Sequence, residues 1–170
     1  MSRSLQALSV TPAEGERTPL LRLLDARAAG AGDEATLREL ARAASAEAGA
    51  PFTSRSYSFP FALIAAHGAA VGVDIERVGP CDATFADSIR TPTELSSAAP
   101  SQEDGDRYFT SLWSSKEALS KALGDALAYD PRRLEGPGAW PRGRSGPWRA
   151  VRLHVPDGYV AWLCWRVAGS

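Results

Sequence analysis

The chain has 170 residues, of which 44% are hydrophobic and 23% charged, with a formal net charge of -1 at pH 7. That is the size and balance of one soluble globular domain, and so neutral a charge excludes a general electrostatic pull towards nucleic acid or anionic membrane. No apolar run reaches the length of a membrane span, the opening MSRSLQALSVTPAEGERTP lacks the apolar block of a signal peptide, and Cys81 and Cys164 form neither a metal-ligand spacing nor a disulfide framework. A cytoplasmic protein with two free thiols is expected.

Residues Met1 to Thr18 mix Pro, Gly, Ser and Thr without periodicity and read as a loose or partly extended arm. From Pro19 to Ala29, Leu20, Leu21, Leu23 and Leu24 suggest a short helix closed by Gly30. Asp33 is a fair N-cap for a second helix running to about Ala48 with Gly49 at its end, its apolar stripe made by Leu37, Leu40, Ala41, Ala44 and Ala48. Ser58 to Ala66 and Ala70 to Arg77 read as two strands joined as a hairpin by a His-Gly turn at His67, with Pro60 near the start of the first or on an edge.

In the second of these strands Val71, Val73 and Ile75 alternate with Gly72, Asp74 and Glu76, so one face is apolar and the other presents two carboxylates about 7 Å apart. Asp82 to Ile89 and the turn at Thr93 to Leu95 suggest short helices, and SSAAPSQEDGD a polar connection.

Asp106 to Gly124, DRYFTSLWSSKEALSKALG, predicts a longer helix with Phe109, Leu112, Leu119 and Leu123 towards the core and Trp113, Glu117 and Lys121 in a row at intervals of four. Lys116 and Lys121 are the only lysines in a chain whose other cations are all arginine, so at these places a compact point charge has not been exchanged for a planar fork. Asp130 to Pro147 is rich in Gly, Pro and Arg and reads as a long loop; Trp148 to Val155 and Tyr159 to Ala168 read as strands around a Pro-Asp-Gly turn. Along the last strand Trp162, Leu163, Cys164 and Trp165 place apolar groups on both faces.

Three carboxylates, Asp74, Glu76 and Glu117, flanked by Lys116 and Lys121 and without histidine or thiol, suit a hard divalent cation such as Mg²⁺ beside a phosphate-bearing substrate. The plain alternative is that Asp74 and Glu76 are solvent-facing strand residues. His67 and His154 read as turn and strand-packing residues, and Phe109 and Trp113 as core aromatics. Arg132, Arg133, Arg142, Arg144 and Arg149 read as a solvated loop or, more sharply, as a docking surface for acidic helices; no aromatic-basic interleaving marks a nucleic-acid module.

The pair of segments V-G-V-D-I-E at Val71 to Glu76 and W-S-S-K-E-A-L-S-K-A-L-G at Trp113 to Gly124 resembles the two hallmarks of the 4'-phosphopantetheinyl transferase superfamily, in the same order and about forty residues apart. The resemblance covers roughly Arg55 to the C-terminus. It implies an α+β fold, an antiparallel sheet packed against the long motif-bearing helix, in one domain over residues 1–170, with 1–50 as a shortened helical N-terminal part and 51–170 as the motif-bearing part.

It also implies an enzyme that moves 4'-phosphopantetheine from coenzyme A, its co-substrate, to a serine of an apo acyl or peptidyl carrier protein, releasing 3',5'-ADP, in polyketide, peptide or fatty-acid assembly. On this reading Asp74, Glu76 and Glu117 match the Mg²⁺ ligands, Glu117 is also the candidate base, Lys121 neutralises the diphosphate, and Lys116 and Arg55 contact phosphate. The shortened N-terminal part implies an uncovered apolar surface, hence a homo-oligomer.

Three positions depart from the pattern. Ser56-Tyr57-Ser58 stands where the longer members have S-H-S, Gly49-Ala50-Pro51 where G-K-P is usual, and Gly124-Asp125-Ala126-Leu127 lacks the second glycine of G-x-G-L. These substitutions thin the phosphate-binding set and motivate a second expectation, an inactive or repurposed relative that binds a carrier protein or acts on a carrier-bound thioester.

Overall fold

In the computed structural model, which describes residues 5–11, 16–97, 102–126 and 128–167, two four-stranded antiparallel sheets pack face to face, each with a helix on its outer side. The first sheet contains β1 (Leu5–Leu8), β2 (Leu20–Asp25), β3 (Phe52–Ser58) and β4 (Phe61–His67) in the order β1-β2-β4-β3. The second contains β5 (Val71–Arg77), β6 (Arg144–Ser145), β7 (Trp148–Arg152) and β8 (Tyr159–Arg166) in the order β5-β8-β7-β6.

The inner faces follow from period-two alternation. Leu21, Leu23, Phe61, Leu63 and Ala65 of the first sheet meet Val71, Val73, Ile75, Ala161, Leu163 and Trp165 of the second. On the outside of the first sheet, α2 (Glu34–Glu47) lays Leu37, Ala41 and Ala44 on Leu24, Ala62 and Ile64. On the outside of the second, α5 (Gln102–Leu123) lays Ala118, Leu119 and Ala122 on Ala150 and Cys164.

The N-terminal part departs from the sequence expectation. Leu20 to Asp25 is a strand, paired with β4 from Leu20↔Ala66 to Asp25↔Phe61, and only α1 (Ala26–Ala29) is helical before Gly30 closes it at φ 72°. The LLRLL run is apolar on both strand faces because sheet and helix cover them, and such a run does not distinguish strand from helix by period. The N-terminal third is therefore a sheet with one helix on it, instead of a helical remnant. The second helix is as expected: the Asp33 side chain accepts from the Thr36 amide at 2.8 Å and Ala48 is the C-cap, although Leu40 is exposed.

β4 and β5 do not form a hairpin. β4 pairs with β3 across the Phe59-Pro60 turn, and the chain then passes into the other sheet. The two sheets meet along the edges of β3 and β5, where serine side chains take the place of a backbone ladder. Ser54, Ser56 and Ser58 accept from the amides of Val73, Ile75 and Arg77 at 3.1, 3.2 and 3.1 Å. The exposed donors of an edge strand are thereby satisfied without merging the sheets.

α3 (Ala83–Ser88) starts at an Asp82 cap and α4 (Pro92–Ser96) at a Thr91/Glu94 capping box. The loop expected over Asp130 to Pro147 contains three 3-10 turns, Pro131–Arg133, Pro137–Ala139 and Pro141–Gly143, followed by β6. The last hairpin forms as expected, with Gly158 at φ 82°. The arm's residues 1–4 and 12–15, part of the polar connection at 98–101, Leu127 and the end of the last strand at 168–170 lie outside the described residues.

Two side-chain expectations for the motif helix are corrected. Leu123 is exposed and Phe109 and Leu112 are only half-buried; the buried face is small and polar, with Ser114, Ser115, Ala118, Ser120 and Ala122 around Leu119. His154, expected in strand packing, is exposed between β7 and β8. Small residues allow α5 to approach β5 closely at Gly72, where a Cβ would run into the Ala118 carbonyl oxygen and lie 2.5 Å from the Ala122 nitrogen. Backbone cannot yield there as a flexible side chain could. Gly72→Ala is expected to cost ~3 kcal/mol or more in chemical denaturation; a loss below ~1 kcal/mol would contradict this packing.

Candidate active site

The outward face of β5 points Gly72, Asp74 and Glu76 at α5, and the four-residue spacing of Trp113, Glu117 and Lys121 lines one stripe of that helix up against them. Asp74 is 2% exposed. Its Oδ1 accepts from Lys121 Nζ at 2.7 Å and from Ser56 Oγ at 2.9 Å. Its Oδ2 is buried without a hydrogen-bond partner among the described residues.

A buried carboxylate oxygen left unsatisfied is costly unless something else is meant to reach it. Lys121 donates a second bond, to the Val73 carbonyl at 3.2 Å, and forms part of the wall of an open pocket of about 510 Å³ that also carries Arg55, Ser54 and Gly124.

Glu76 and Glu117 complete the acidic side. Burial pushes the Glu76 carboxyl up to about 7, the Asp74 charge adding to the effect, while Lys121 and a hydrogen bond from the Trp113 indole oppose it. Burial likewise raises Glu117, against a hydrogen bond from Tyr129, whose hydroxyl donates to Oε1 at 2.6 Å. The Tyr129 ring lies 6.5 Å from that of Trp113, and Phe85 meets Trp113 edge-on at 5.9 Å.

Among the described residues no three His, Cys, Asp or Glu side chains are already gathered as a ready metal cage. The donor set nonetheless fits a hard divalent cation: all-oxygen, with one orphaned buried oxygen and two carboxyls whose ionisation is disfavoured by burial and by neighbouring negative charge.

A pH dependence follows. A carboxyl raised in the folded state stabilises the fold at low pH, and that contribution is lost as pH rises from its unfolded value near 4.5 to about 7. The metal-free protein should lose ~2 kcal/mol over this window from Glu76, less than the full shift because solvent screens a partly open group. Adding Mg²⁺ should flatten the decline, as melting curves between pH 5 and 7.5 would show; an identical decline with and without Mg²⁺ would contradict it.

Lys116 is not placed for the phosphate contact expected of it. It is 0% exposed, and its three donors are taken by the Ile89 carbonyl at 2.6 Å, Glu94 Oε2 at 2.6 Å and the Pro131 carbonyl at 2.9 Å. Tyr57, at the departure from S-H-S, points to the α2 side with the Arg38 guanidinium 4.5 Å over its ring, while its two serine neighbours hold β5.

Of the loop arginines, Arg132 and Arg133 pair with Asp130, and Arg144 and Arg149 with Glu16. A separate cavity of about 420 Å³ opens on the other flank of α5 around Leu112, Gly138 and Trp162 and contains none of the three candidate carboxylates. Cys81 and Cys164 are both free thiols. No helix among the described residues is long and apolar enough to cross a membrane.

Sequence reasoning missed Ser56 and Tyr129. The serine alternation at 54, 56 and 58 was a readable signal of a shared face; Tyr129 stands in a loop twelve residues beyond Glu117 with no motif around it.

A 4'-phosphopantetheinyl transferase psf-1 from Bacillus pumilus is 37% identical over 78 residues, covering 44% of this chain and 32% of the relative. The chain thus spans about a third of the length of that relative. The family model of the 4'-phosphopantetheinyl transferase superfamily matches residues 70–144, which hold β5, α5 and all three candidate carboxylates. Over this motif-bearing part, the chain is similar to the 4'-phosphopantetheinyl transferase superfamily.

Proposed function

We propose that the chain transfers 4'-phosphopantetheine from coenzyme A to a serine hydroxyl of an apo acyl or peptidyl carrier protein, with Mg²⁺ held by Asp74, Glu76 and Glu117. The observation that carries this reading is Asp74: one oxygen fixed by Lys121 and Ser56, the other buried, unpartnered and beside two carboxyls whose pKa burial raises.

When bound, the cation would offset negative charge on the diphosphate oxygens. The serine oxygen attacks the phosphorus that carries the pantetheine arm, the bond from that phosphorus to the bridging oxygen breaks, and 3',5'-ADP leaves. Lys121, with a free donor at the wall of the Arg55 pocket, neutralises charge on the departing group. Glu117, its Oε1 held by Tyr129, is the base for the serine proton, which an intervening water relays.

The test is the intact mass of several apo carrier proteins after incubation with the chain, coenzyme A and Mg²⁺, with a metal-free control. A metal-dependent gain of one phosphopantetheine supports the reading; no gain on any carrier sinks it. The burial of Lys116 and the diversion of Tyr57 favour a second reading, a relative that retains the fold and binds carriers without transfer. Coenzyme A titration separates the two, since the transferase must bind it with Mg²⁺ and a pure carrier-binding protein need not.

A further inference from the structure

Two of the three candidate carboxylates, Asp74 and Glu117, share a feature that the motifs do not specify. On Asp74, Oδ1 is occupied twice, by Ser56 and Lys121, and Oδ2 is bare. On Glu117, Oε1 is occupied by the Tyr129 hydroxyl at 2.6 Å.

Asp74 and Glu117 therefore each have one oxygen engaged by protein donors and one open. An oxygen that already accepts a hydrogen bond has less electron density and less room for a cation than its open partner, so such a carboxylate is biased towards monodentate ligation.

That constraint discriminates between hard cations. Mg²⁺ demands six near-octahedral oxygens at short distance and keeps several waters, so single oxygens from separate side chains suit it. Ca²⁺ takes six to eight oxygens and gains much of its affinity from bidentate carboxylates.

We infer that Tyr129 is a positioning residue that sets metal selectivity: by holding Glu117 Oε1 it denies bidentate chelation and disfavours Ca²⁺ relative to Mg²⁺. The inference rests on the metal reading given above. Tyr129 is well built for the task. Burial and the adjacent Glu117 raise its pKa well above the usual phenol range, so it remains a donor at any physiological pH. Its half-buried ring, tilted 32° to the Trp113 ring, is fixed by packing independent of the hydroxyl.

The experiment is calorimetric titration of the chelator-treated protein with Mg²⁺ and with Ca²⁺, without coenzyme A or carrier, for the wild type, Tyr129→Phe and Trp113→Phe. Tyr129→Phe keeps the ring and deletes only the donor. Loss of an outer-shell partner changes metal affinity by roughly 10–100-fold, so the Ca²⁺ to Mg²⁺ affinity ratio is expected to rise about tenfold or more in Tyr129→Phe.

Trp113→Phe, which alters the ring lying 6.5 Å from Tyr129 and so loosens its placement, should move the ratio the same way, which guards against one variant failing through poor folding. A merely structural role for Tyr129 would weaken both metals together and leave the ratio unchanged, and that result overturns the inference while the metal reading stands. If the wild type binds neither cation, the metal reading falls and this inference with it.

Discussion

Asp74→Asn is expected to lower phosphopantetheine transfer by at least ~10³-fold, about 4 kcal/mol of transition-state stabilisation, while leaving the protein folded. Asparagine matches aspartate in shape but carries donors where one oxygen was. If its amide nitrogen faces Lys121 and Ser56, donor meets donor; if it faces the bare side of the pocket, it turns N–H groups towards the cation. The first orientation loses the contacts that place the group, the second removes the ligand, and both remove its charge. Stability should respond much less, because the Asp74 charge is itself one cause that raises the pKa of Glu76 and Glu117, and removing it relieves that crowding.

Lys121 loses an anion, but its side chain is 22% exposed and keeps the Val73 carbonyl. Intact-mass transfer assays and melting curves with and without Mg²⁺ give the two readouts. Transfer within tenfold of wild type would remove Asp74 from the centre of the site, whereas loss of activity together with collapse of the fold would assign it a structural role.

What was legible in the sequence was what depends on local chemistry. Asp33 capped the helix it was expected to cap, the Pro-Asp-Gly turn formed the last hairpin, and the alternation of β5 turned Asp74 and Glu76 towards the row formed by Trp113, Glu117 and Lys121. What was not legible depended on coverage from afar. Leu20 to Leu24 is a strand because β4 and β1 flank it and apolar layers close both its faces, none of which the run itself encodes. Phe52 to Ser58 was passed over because its serines look like a loop, yet those hydroxyls satisfy the edge of β5.

Lys116 was read as a phosphate ligand because lysine is scarce in this chain and stands one residue from Glu117. Scarcity indicated that the position needs an ammonium; it could not say for what.

Glu94→Ala should cost ~3–5 kcal/mol, the largest stability loss expected of a single substitution in this protein, because it leaves Lys116 buried without its anion. Glu94 ties three segments together. One oxygen accepts from Lys116 at 2.6 Å and from the Thr91 amide at 2.9 Å, and the other from the Gly136 amide at 2.7 Å. Burial lowers the Lys116 pKa and the Glu94 carboxylate opposes that shift.

Lys116→Met should cost less, since Glu94 retains two backbone donors, and the double variant Glu94→Leu with Lys116→Met should recover much of the loss, as buried pairs replaced by apolar residues often do. Lys116→Arg should fail despite its charge. The ammonium has three donors and meets three acceptors, whereas a guanidinium brings five in a rigid plane to a cavity shaped for a point. Denaturant unfolding of the four variants measures the ordering; Glu94→Ala within ~1 kcal/mol of wild type would contradict it.

The pair also has a route to the site, because Lys116 holds the Pro131 carbonyl two residues beyond Tyr129. A Glu94 variant that still folds should therefore loosen the hydrogen bond from Tyr129 to Glu117 and weaken metal binding from the opposite side of α5.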